Sequence, residues 1–460
     1  MPFTTLRFAA FLVVTLALFY SLPRRGRRYL LLFASLAFYI AWKPKFIVLL
    51  LGLITIDYGA AMWIRSREGW SRRVALLVSL SANLGLLGWF KYANFVRDIG
   101  LALLHRGAPA HPLDIILPLG ISFHTFQSIS YVIDVYRGEQ PVIRNYLDYA
   151  LYVSFFPQLI AGPIVRAGEF FADYFNWRAP SGDEWQRGFA QILAGCVKKL
   201  VCADQFAIVA DRYFSSPESF PGMVSAWTGS GAFALQIFFD FSGYTDIAIG
   251  IALLLGFHFP ENFRRPYLSA SLTEFWHRWH MTLSRWLRDY VYIPLGGNRH
   301  GKFRTFTNLT ITMLLGGLWH GANWNFLIWG GYHGLLLVIE RALRGRKEPE
   351  GPVRIPLTVL TFLLVSAGWV FFRARTFATA IFIVGQMFSR ASGTSLFGPW
   401  EWGVATGTLL LALGEEHRQV LSRLLWSPIW ARTIFAVATL FLIEFFSASD
   451  VAIPFVYFQF

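Results

Sequence analysis

Residues 309–339 read LTITMLLGGLWHGANWNFLIWGGYHGLLLVI, a long apolar stretch with a histidine near its centre. Two apolar runs, 309–318 and 324–339, flank a short polar centre that contains His320. A titratable ring between two membrane-like runs is costly unless it lines a polar cavity, so it marks a candidate functional site. The stretch therefore indicates proton chemistry inside a membrane.

The composition of the whole chain agrees with this interpretation. Of its 460 residues, 55% are hydrophobic and only 15% are charged, and the mean hydropathy is +0.46. Many apolar runs reach or approach ~20 residues, the length that crosses a bilayer core; examples are 5–22, 46–64, 74–90, 355–372 and 433–446. We therefore predict an all-α, polytopic integral membrane protein with roughly ten to twelve transmembrane helices.

The net charge of +14 has a simple explanation in a membrane protein. Arginines cluster in the short segments 23–28, 65–73 and 341–354, as expected of cytoplasmic loops under the positive-inside rule. No soluble basic module is visible, so we expect contact with membrane lipid and no nucleic-acid partner. Residues 1–22 are predicted to form an uncleaved first span whose amino terminus lies outside the cell.

The chain is predicted to be a single integral-membrane domain, 1–460. Within it we expect amino-terminal spans (1–90), a catalytic core (115–345) and carboxy-terminal spans (355–460). Segments 117–136 and 155–164 mix proline, glycine and polar residues with apolar ones, which suits re-entrant helices that line a cavity. Asp240 and Asp246 lie among aromatic residues, where they pair with an arginine or with backbone amides or line a polar path.

A second cluster, Trp276-His277-Arg278-Trp279-His280, lies in a stretch with helical spacing, 273–290. Its tryptophans share one face, which predicts an interfacial helix that packs on the lipid boundary or on the protein core. His280 is at the edge of the aromatic face, and His277 and Ser284 are further toward the polar side.

A buried neutral imidazole such as that of His320 is able to take a proton from a hydroxyl, and a positioned general base contributes typically 10²–10⁴-fold. The alternative is a structural histidine that joins two helices, and for His280 a simple interfacial anchor. No metal site is expected, because HExxH and multiple histidine boxes are absent. Cys196 and Cys202 indicate neither a disulfide framework nor a zinc site.

Several long motifs resemble the membrane-bound O-acyltransferase (MBOAT) superfamily, and its alginate O-acetyltransferase branch in particular. The two central ones are FWHRWHMTLSRWLRDYVYIPLGGN (275–298) and LLGGLWHGANWN (314–325). Further matching segments extend the likeness over nearly the whole chain: 120–131, 155–163, 238–244, 260–266, 368–373 and 454–460.

This resemblance implies the MBOAT fold, in which spans, interfacial helices and re-entrant helices surround a central tunnel. It implies that His320 and His280 are the catalytic residues. Candidates for binding the phosphates of a donor, or for a donor-side contact, are Arg278, Arg285, Arg288 and His277, although the positive-inside rule also explains the arginines. Candidates for lining the tunnel are Trp319, Asn323 and Ser284.

The resemblance also implies an acetyltransferase of the bacterial inner membrane that starts O-acetylation of an exported or cell-wall polysaccharide such as alginate. No bound cofactor is expected; acetyl-CoA or another acyl thioester is the donor substrate. An extracytoplasmic SGNH-type protein is the expected partner. Two alternatives remain open at this point: D-alanyl transfer toward teichoic acid, and a polysaccharide transporter that uses intramembrane aspartates.

Overall fold

The structure is a computed structural model, and it describes residues 2–104, 113–160, 162–345, 347–418, 427–447 and 455–456. Regular structure in these residues is helical throughout, without a strand. The predicted all-α class is therefore confirmed. The external connection predicted at 91–114 and the terminal motif at 454–460 both lie partly outside the described residues.

The chain divides into two compact units. Unit 1 comprises Met1–Phe189 and Ala248–Pro260, and unit 2 comprises Ala190–Ile247 and Glu261–Phe460. Unit 1 contains α1 (Leu6–Ser21), α2 (Arg24–Ile40), α3 (Ile47–Ser66), α4 (Trp70–Leu103), α5 (Ile121–Arg137), α6 (Tyr146–Ser154), α7 (Phe156–Leu159) and α8 (Ala167–Phe175). Helix α9 (Gly182–Cys196) contributes residues to both units.

Unit 2 carries most of the motifs singled out above. Its helices are α10 (Asp204–Ser215), most of α11 (Met223–Leu254), α12 (Leu272–Arg278), α13 (Met281–Leu287), α14 (Gly301–His320), α15 (Trp324–Arg344), α16 (Arg354–Arg373), α17 (Phe377–Met387), α18 (Pro399–Arg418) and α19 (Ile429–Ser447). Short π-helical turns follow α9 and α13, at Val197–Ala203 and Arg288–Tyr292.

In the described part of the chain, five helical segments are long and apolar enough to cross a membrane: Pro44–Ser66, Trp70–Leu103, Met223–Leu254, Trp324–Arg344 and Gly351–Arg373. This is fewer than the ten to twelve spans that the sequence predicted. Two apolar helices, Leu6–Ser21 and Phe377–Met387, are shorter than a span. The chain is a multi-pass membrane protein.

Buried polar side chains join the spanning helices of unit 1. Asp57 on α3 is fully buried. Its Oδ1 accepts hydrogen bonds from the hydroxyl of Ser79 (2.6 Å) and from the amide of Asn83 (2.8 Å), both on α4. A buried polar group in a membrane needs such partners, because the hydrocarbon contains no water to form hydrogen bonds with it. This contact makes Asp57 an interhelical link.

A more exposed polar cluster in unit 1 surrounds His258, just after α11. The imidazole contacts Asp173 Oδ1 (3.2 Å) through Nδ1 and Glu184 Oε1 (3.0 Å) through Nε2, and Arg178 pairs with the same glutamate. Burial alone would lower the pKa of His258, but its hydrogen bonds to Glu184 and Asp173 outweigh that effect and raise it. Protonated His258 is therefore favoured in the folded protein.

In unit 2, the close packing of α14 on α15 depends on glycine. A Cβ atom at Gly317 would collide with the carbonyl oxygen of Phe326, and one at Gly330 would collide with the carbonyl oxygen of Met313. Both glycines are buried. Small residues let helix backbones approach in a membrane, where dispersion contacts replace the hydrophobic effect. The two glycines therefore set the spacing of the helices on either side of His320.

A buried ionic cluster stabilises unit 2 away from these helices. Lys199 Nζ lies 2.7 Å from Asp204 Oδ1 and 2.9 Å from Asp240 Oδ1, and the other oxygen of Asp240 accepts the backbone N–H of Val456 (2.6 Å). Asp240 thus pairs with a cation and with a backbone amide. The sequence offered an arginine or backbone amides as its partners, and the cation found here is a lysine. Asp246 likewise pairs with Lys198.

The interfacial helix predicted at 273–290 is interrupted. Helix α12 ends at Arg278 and α13 begins at Met281, because His280 adopts a left-handed conformation (φ 42°, ψ 54°). The aromatic face packs inside the protein, with Trp279, Leu283 and Trp286 buried. The prediction of one continuous helix was wrong, and the break places His280 at the junction of two short helices.

Candidate active site

His320 is the last residue of α14, and it lies in an aromatic enclosure. Its ring contacts those of Trp319, Trp329 and Phe372, with centroid distances of 4.9, 5.2 and 5.1 Å. The helix stops here because Gly321 is extended; a Cβ atom at this glycine would collide with the ring of Phe326. The exposed fraction of His320 is 7%. The chain therefore holds a mostly buried imidazole at a helix end.

Trp319 connects the two candidate catalytic histidines. Its indole lies edge-on to the imidazole of His280, with ring centroids 6.1 Å apart, and it also contacts His320. All three side chains belong to unit 2. The structure thus brings together His280 and His320, which are forty residues apart in the sequence, as neighbours of one tryptophan ring.

His280 is more deeply buried than His320, with 1% of its surface exposed. The rings of Phe241 and Phe263 enclose it, at centroid distances of 4.7 and 6.2 Å. Burial lowers the pKa of His280 to about 3, so its imidazole is uncharged at neutral pH. Nδ1 of His280 lies 3.2 Å from Oδ1 of Asn262, whereas Nε2 has no hydrogen-bond partner among the described residues.

The carboxy-terminal segment borders the same enclosure. Phe455 packs against Tyr244 (centroids 4.5 Å apart) and against Phe241 (5.9 Å). Phe241 in turn contacts His280. The backbone of the next residue, Val456, is anchored on Asp240. The two described residues of the terminal motif are therefore part of the packing around His280.

The predicted donor-binding residues occupy different surroundings. The guanidinium of Arg278 is held by Glu274 (2.8 Å) and by Glu416 (2.9 Å). Arg288 is exposed and pairs with its neighbour Asp289. Arg285 is half-buried, and His277 is exposed. The carboxylates that hold Arg278 are its partners in this structure, and a role of Arg278, Arg285, Arg288 or His277 in donor binding stays a prediction.

The other two predicted tunnel residues have local structural contacts. Asn323 caps α15, where its side-chain oxygen accepts the backbone N–H of Asn325 (2.9 Å). Ser284 donates its hydroxyl to the carbonyl oxygen of Trp279 (3.3 Å). An apolar groove of about 350 Å³ between α14 and α15 is lined by residues such as Phe306, Thr310 and Leu335, not by the histidines. The tunnel therefore stays a prediction.

His333, on α15, extends the aromatic cluster. It is fully buried, and its ring contacts Trp329 (5.0 Å between centroids) and Trp276 (5.2 Å). Neither ring nitrogen has a hydrogen-bond partner in the described part of the chain. A Cβ atom at Gly368 would lie 2.9 Å from Nε2 of His333, so glycine provides the space for this ring. These contacts are those of a side chain that packs inside the aromatic cluster.

Of the residues around His280, the sequence singled out Trp319 but neither Asn262 nor Phe241. Asn262 belongs to the segment 260–266 and Phe241 to the segment 238–244, both of which were noted only for their resemblance. Their proximity depends on tertiary contacts between distant parts of the chain. The signal available was the amide Asn262 between Glu261 and Phe263 in a charged segment, which is weak by itself.

The arrangement is suited to proton transfer in a poorly solvated site. Two buried imidazoles contact one indole, and further aromatic rings pack around both. A neutral imidazole accepts a proton or a hydrogen bond at its unprotonated nitrogen. Within the described residues, no group of three histidine, cysteine or acidic side chains forms a metal-binding cluster.

Comparison with known proteins gives the family. Residues 139–349 match the sequence model of MBOAT, the membrane-bound O-acyltransferase family. The chain is 45% identical over 402 residues to the "Probable alginate O-acetylase AlgI" of Pseudomonas putida, covering 85% of this chain and 79% of that protein. It is 46% identical over 398 residues to the protein of the same name from Azotobacter vinelandii (85% and 77%).

The "Peptidoglycan O-acetyltransferase" of Helicobacter pylori is 39% identical over 392 residues, which is 78% of this chain and 73% of that protein. These relatives align with most of the chain. The resemblance inferred from the motifs is therefore confirmed: this chain belongs to the membrane-bound O-acyltransferase family and is a multi-pass membrane acyltransferase.

Proposed function

We propose that this chain transfers an acetyl group from a cytoplasmic thioester, across the bacterial inner membrane, for O-acetylation of an exported or cell-wall polysaccharide such as alginate. The observation that carries the proposal is the pair of buried imidazoles, His280 and His320, which both contact the ring of Trp319. The names of the relatives support acetyl as the group and a polysaccharide as the final acceptor.

His320 is the proposed general base. Its imidazole accepts the proton of an acceptor hydroxyl while the hydroxyl oxygen attacks the carbonyl carbon of the thioester. The carbon–sulfur bond then breaks, and the departing thiolate takes the proton from the imidazolium, which restores neutral His320. A positioned base of this kind contributes typically 10²–10⁴-fold to the rate.

The membrane gives a physical reason for this arrangement. A charged thioester such as acetyl-CoA is held inside the cell, and the polysaccharide is outside; neither crosses hydrocarbon. A tunnel that exposes His320 to both sides lets the acetyl group pass while the donor stays inside. The proposed partner, an extracytoplasmic SGNH-type protein, receives the group and completes the modification of the sugar.

The donor is proposed to be acetyl-CoA or another acyl thioester, bound through its phosphates by basic side chains near α13. Arg288 is exposed and paired only with an adjacent aspartate in the described contacts, so it is the best placed to exchange that carboxylate for a phosphate. The replacement Arg288→Gln is expected to raise KM for acetyl-CoA with little change in kcat, since it removes binding common to the ground and transition states.

The proposal is tested by supplying membrane vesicles that contain this chain with acetyl-CoA labelled in its acetyl group. We expect label in the surface polymer or in the extracytoplasmic partner, and no label when the chain is absent. Label that instead follows D-alanine loaded on a carrier protein would overturn acetylation in favour of D-alanyl transfer. Loss of polymer export in cells without the chain, with unchanged acetyl content of the remaining polymer, would favour a transporter.

A further inference from the structure

The backbone of His280 has a conformation that a side chain normally disfavours. Its φ of 42° lies in the left-handed region, which Arg265 alone shares among the described non-glycine residues. Steric contact between Cβ and the backbone makes this region uncommon outside glycine, asparagine and aspartate. A conformation of this kind persists only where the surroundings determine it, and such residues are concentrated at functional sites.

The hydrogen bonds that hold this turn come from Asn262, in the segment that precedes α12. Its carbonyl oxygen accepts the backbone N–H of Met281 (2.9 Å). Its side-chain Oδ1 accepts the backbone N–H of Thr282 (3.1 Å) and the hydroxyl of the same residue (2.9 Å). Asn262 therefore binds the chain on the carboxyl side of His280 and fixes the start of α13.

These contacts also determine which nitrogen of His280 carries the proton. The backbone N–H of Thr282 only donates, so the Asn262 atom that faces it must be the oxygen, and the amide orientation is fixed. Nδ1 of His280 lies 3.2 Å from that same oxygen. Because an oxygen of this type only accepts, Nδ1 must be the protonated nitrogen. Nε2 of the neutral ring then carries the lone pair.

The unprotonated Nε2 is buried and has no hydrogen-bond partner in the part of the chain that the structure describes. A buried acceptor without a partner is costly, so a group in the occupied site is expected to satisfy it. In this tautomer, Nε2 is unable to donate to an oxyanion. It accepts a hydrogen bond from an O–H or N–H group of a substrate, such as the acceptor hydroxyl or an amide of the thioester arm.

We propose that Asn262 is a positioning residue that holds His280 in the Nδ1-protonated tautomer and so presents Nε2 as a hydrogen-bond acceptor to the substrate. The inference rests on the acyl transfer proposed above. It adds a residue to that function, and it makes His280 an acceptor, distinct from a donor that stabilises negative charge. The neutral amide of Asn262 also leaves the imidazole of His280 uncharged, whereas a carboxylate at the same place would favour the protonated imidazolium.

The test compares Asn262→Ala and Asn262→Asp in purified protein reconstituted in vesicles with labelled acetyl-CoA. Asn262→Ala is expected to lower the rate by about 10- to 100-fold, the range found when the partner that orients a functional histidine is removed. Asn262→Asp keeps an acceptor for Nδ1 but adds a negative charge. It is therefore expected to retain activity at high pH and to shift the acidic limb of the pH–rate profile upward by about 1–3 units.

Thr282→Val is the matched control, because it removes one hydrogen bond to the same Oδ1 and leaves the contact with His280 in place. We expect a smaller loss of thermal stability than in Asn262→Ala, which removes all the side-chain contacts of Asn262, and activity within about 3-fold of wild type, because Nδ1 of His280 keeps its partner. If Thr282→Val lowers activity as much as Asn262→Ala, or if Asn262→Asp leaves the pH profile unchanged, Asn262 is merely structural.

A spectroscopic measurement keeps the inference testable if the variants lose activity through misfolding. In wild-type protein labelled with ¹⁵N-histidine, we expect the His280 signal, assigned by its absence in His280→Gln, to show a protonated Nδ1 and an unprotonated Nε2. The opposite tautomer would overturn the proposal.

The His320→Ala variant separates this inference from the proposed function. If His320→Ala leaves acetyl transfer intact, the proposed function fails. If it abolishes transfer while the His280 tautomer is the opposite one, only the role of Asn262 fails.

Discussion

The indole of Trp319 lies edge-on to the imidazole of His280, with the two ring centroids 6.1 Å apart and the planes at 64°. The same indole contacts His320. One buried side chain therefore fixes the relative placement of the two candidate catalytic residues. Its removal is expected to affect both the packing of unit 2 and the chemistry.

Replacement of Trp319 by alanine is expected to lower the free energy of unfolding by about 3–5 kcal/mol, the usual cost of a buried aromatic side chain, and to abolish most acetyl transfer. Trp319→Phe keeps a ring between the histidines and should retain most of both. Thermal unfolding in detergent and labelled acetyl transfer measure the two effects.

Trp369 provides a matched control, because it is also buried and its ring packs on those of Trp279, Trp329 and Phe372, with no histidine ring in contact with it in the described part of the chain. Trp369→Ala is expected to lose comparable stability but to keep its activity per folded molecule. Equal activity losses in Trp319→Ala and Trp369→Ala would show that Trp319 has no special relation to the site.

The glycines between α14 and α15 make a prediction about packing. Gly330→Ala places a Cβ atom against the carbonyl oxygen of Met313, so we expect destabilisation of about 1–3 kcal/mol. Gly331→Ala, one residue along, meets only the flexible end of Leu314 at 3.5 Å. It should be neutral or slightly stabilising, since alanine favours helix by about 1 kcal/mol. A lower melting temperature for Gly331→Ala than for Gly330→Ala would contradict this account.

The buried ionic cluster predicts a large effect of one lysine and a small effect of its neighbour. Lys199→Met leaves Asp204 and Asp240 buried without their cation and is expected to cost about 3–5 kcal/mol of stability. Lys198→Met removes a more exposed pair with Asp246 and should cost about 1 kcal/mol or less. Equal melting temperatures for the two variants would rule out a structural role for the cluster.

The cluster around His258 predicts a pH dependence of stability. Because the folded protein raises the pKa of His258, its contribution is fully present below the unfolded pKa of about 6.5 and is lost as the pH rises through the higher folded value. Wild type should therefore melt above His258→Gln at pH 6, and the difference should shrink toward pH 9. A difference that grows with pH would have the wrong sign.

The sequence predicted the class of fold and the position of His320 because both depend on local composition. Long apolar runs indicate membrane helices, and a histidine between two such runs is conspicuous in the sequence without any tertiary information. The number of spans was less predictable. Two apolar runs form helices that are shorter than a usual span in the described residues, Leu6–Ser21 and Phe377–Met387, and hydropathy alone does not show where a helix ends.

The geometry of His280 was beyond the sequence. Two short helices with a left-handed residue between them keep nearly the same aromatic spacing as one continuous helix, so periodicity does not separate the two. The break depends on Asn262, which lies 18 residues earlier in the chain. The ion pair of Arg278 with Glu416 joins residues 138 apart, and for this reason a basic side chain predicted to meet phosphates is found bound to carboxylates.

The most direct test of the central claim is the O-acetyl content of surface polymer in cells that produce His320→Ala at the wild-type level in the membrane. The account predicts acetylation as low as in cells that lack the chain, with polymer export unchanged, because the proposed base is gone while the fold remains. Wild-type acetylation in this variant would contradict the account.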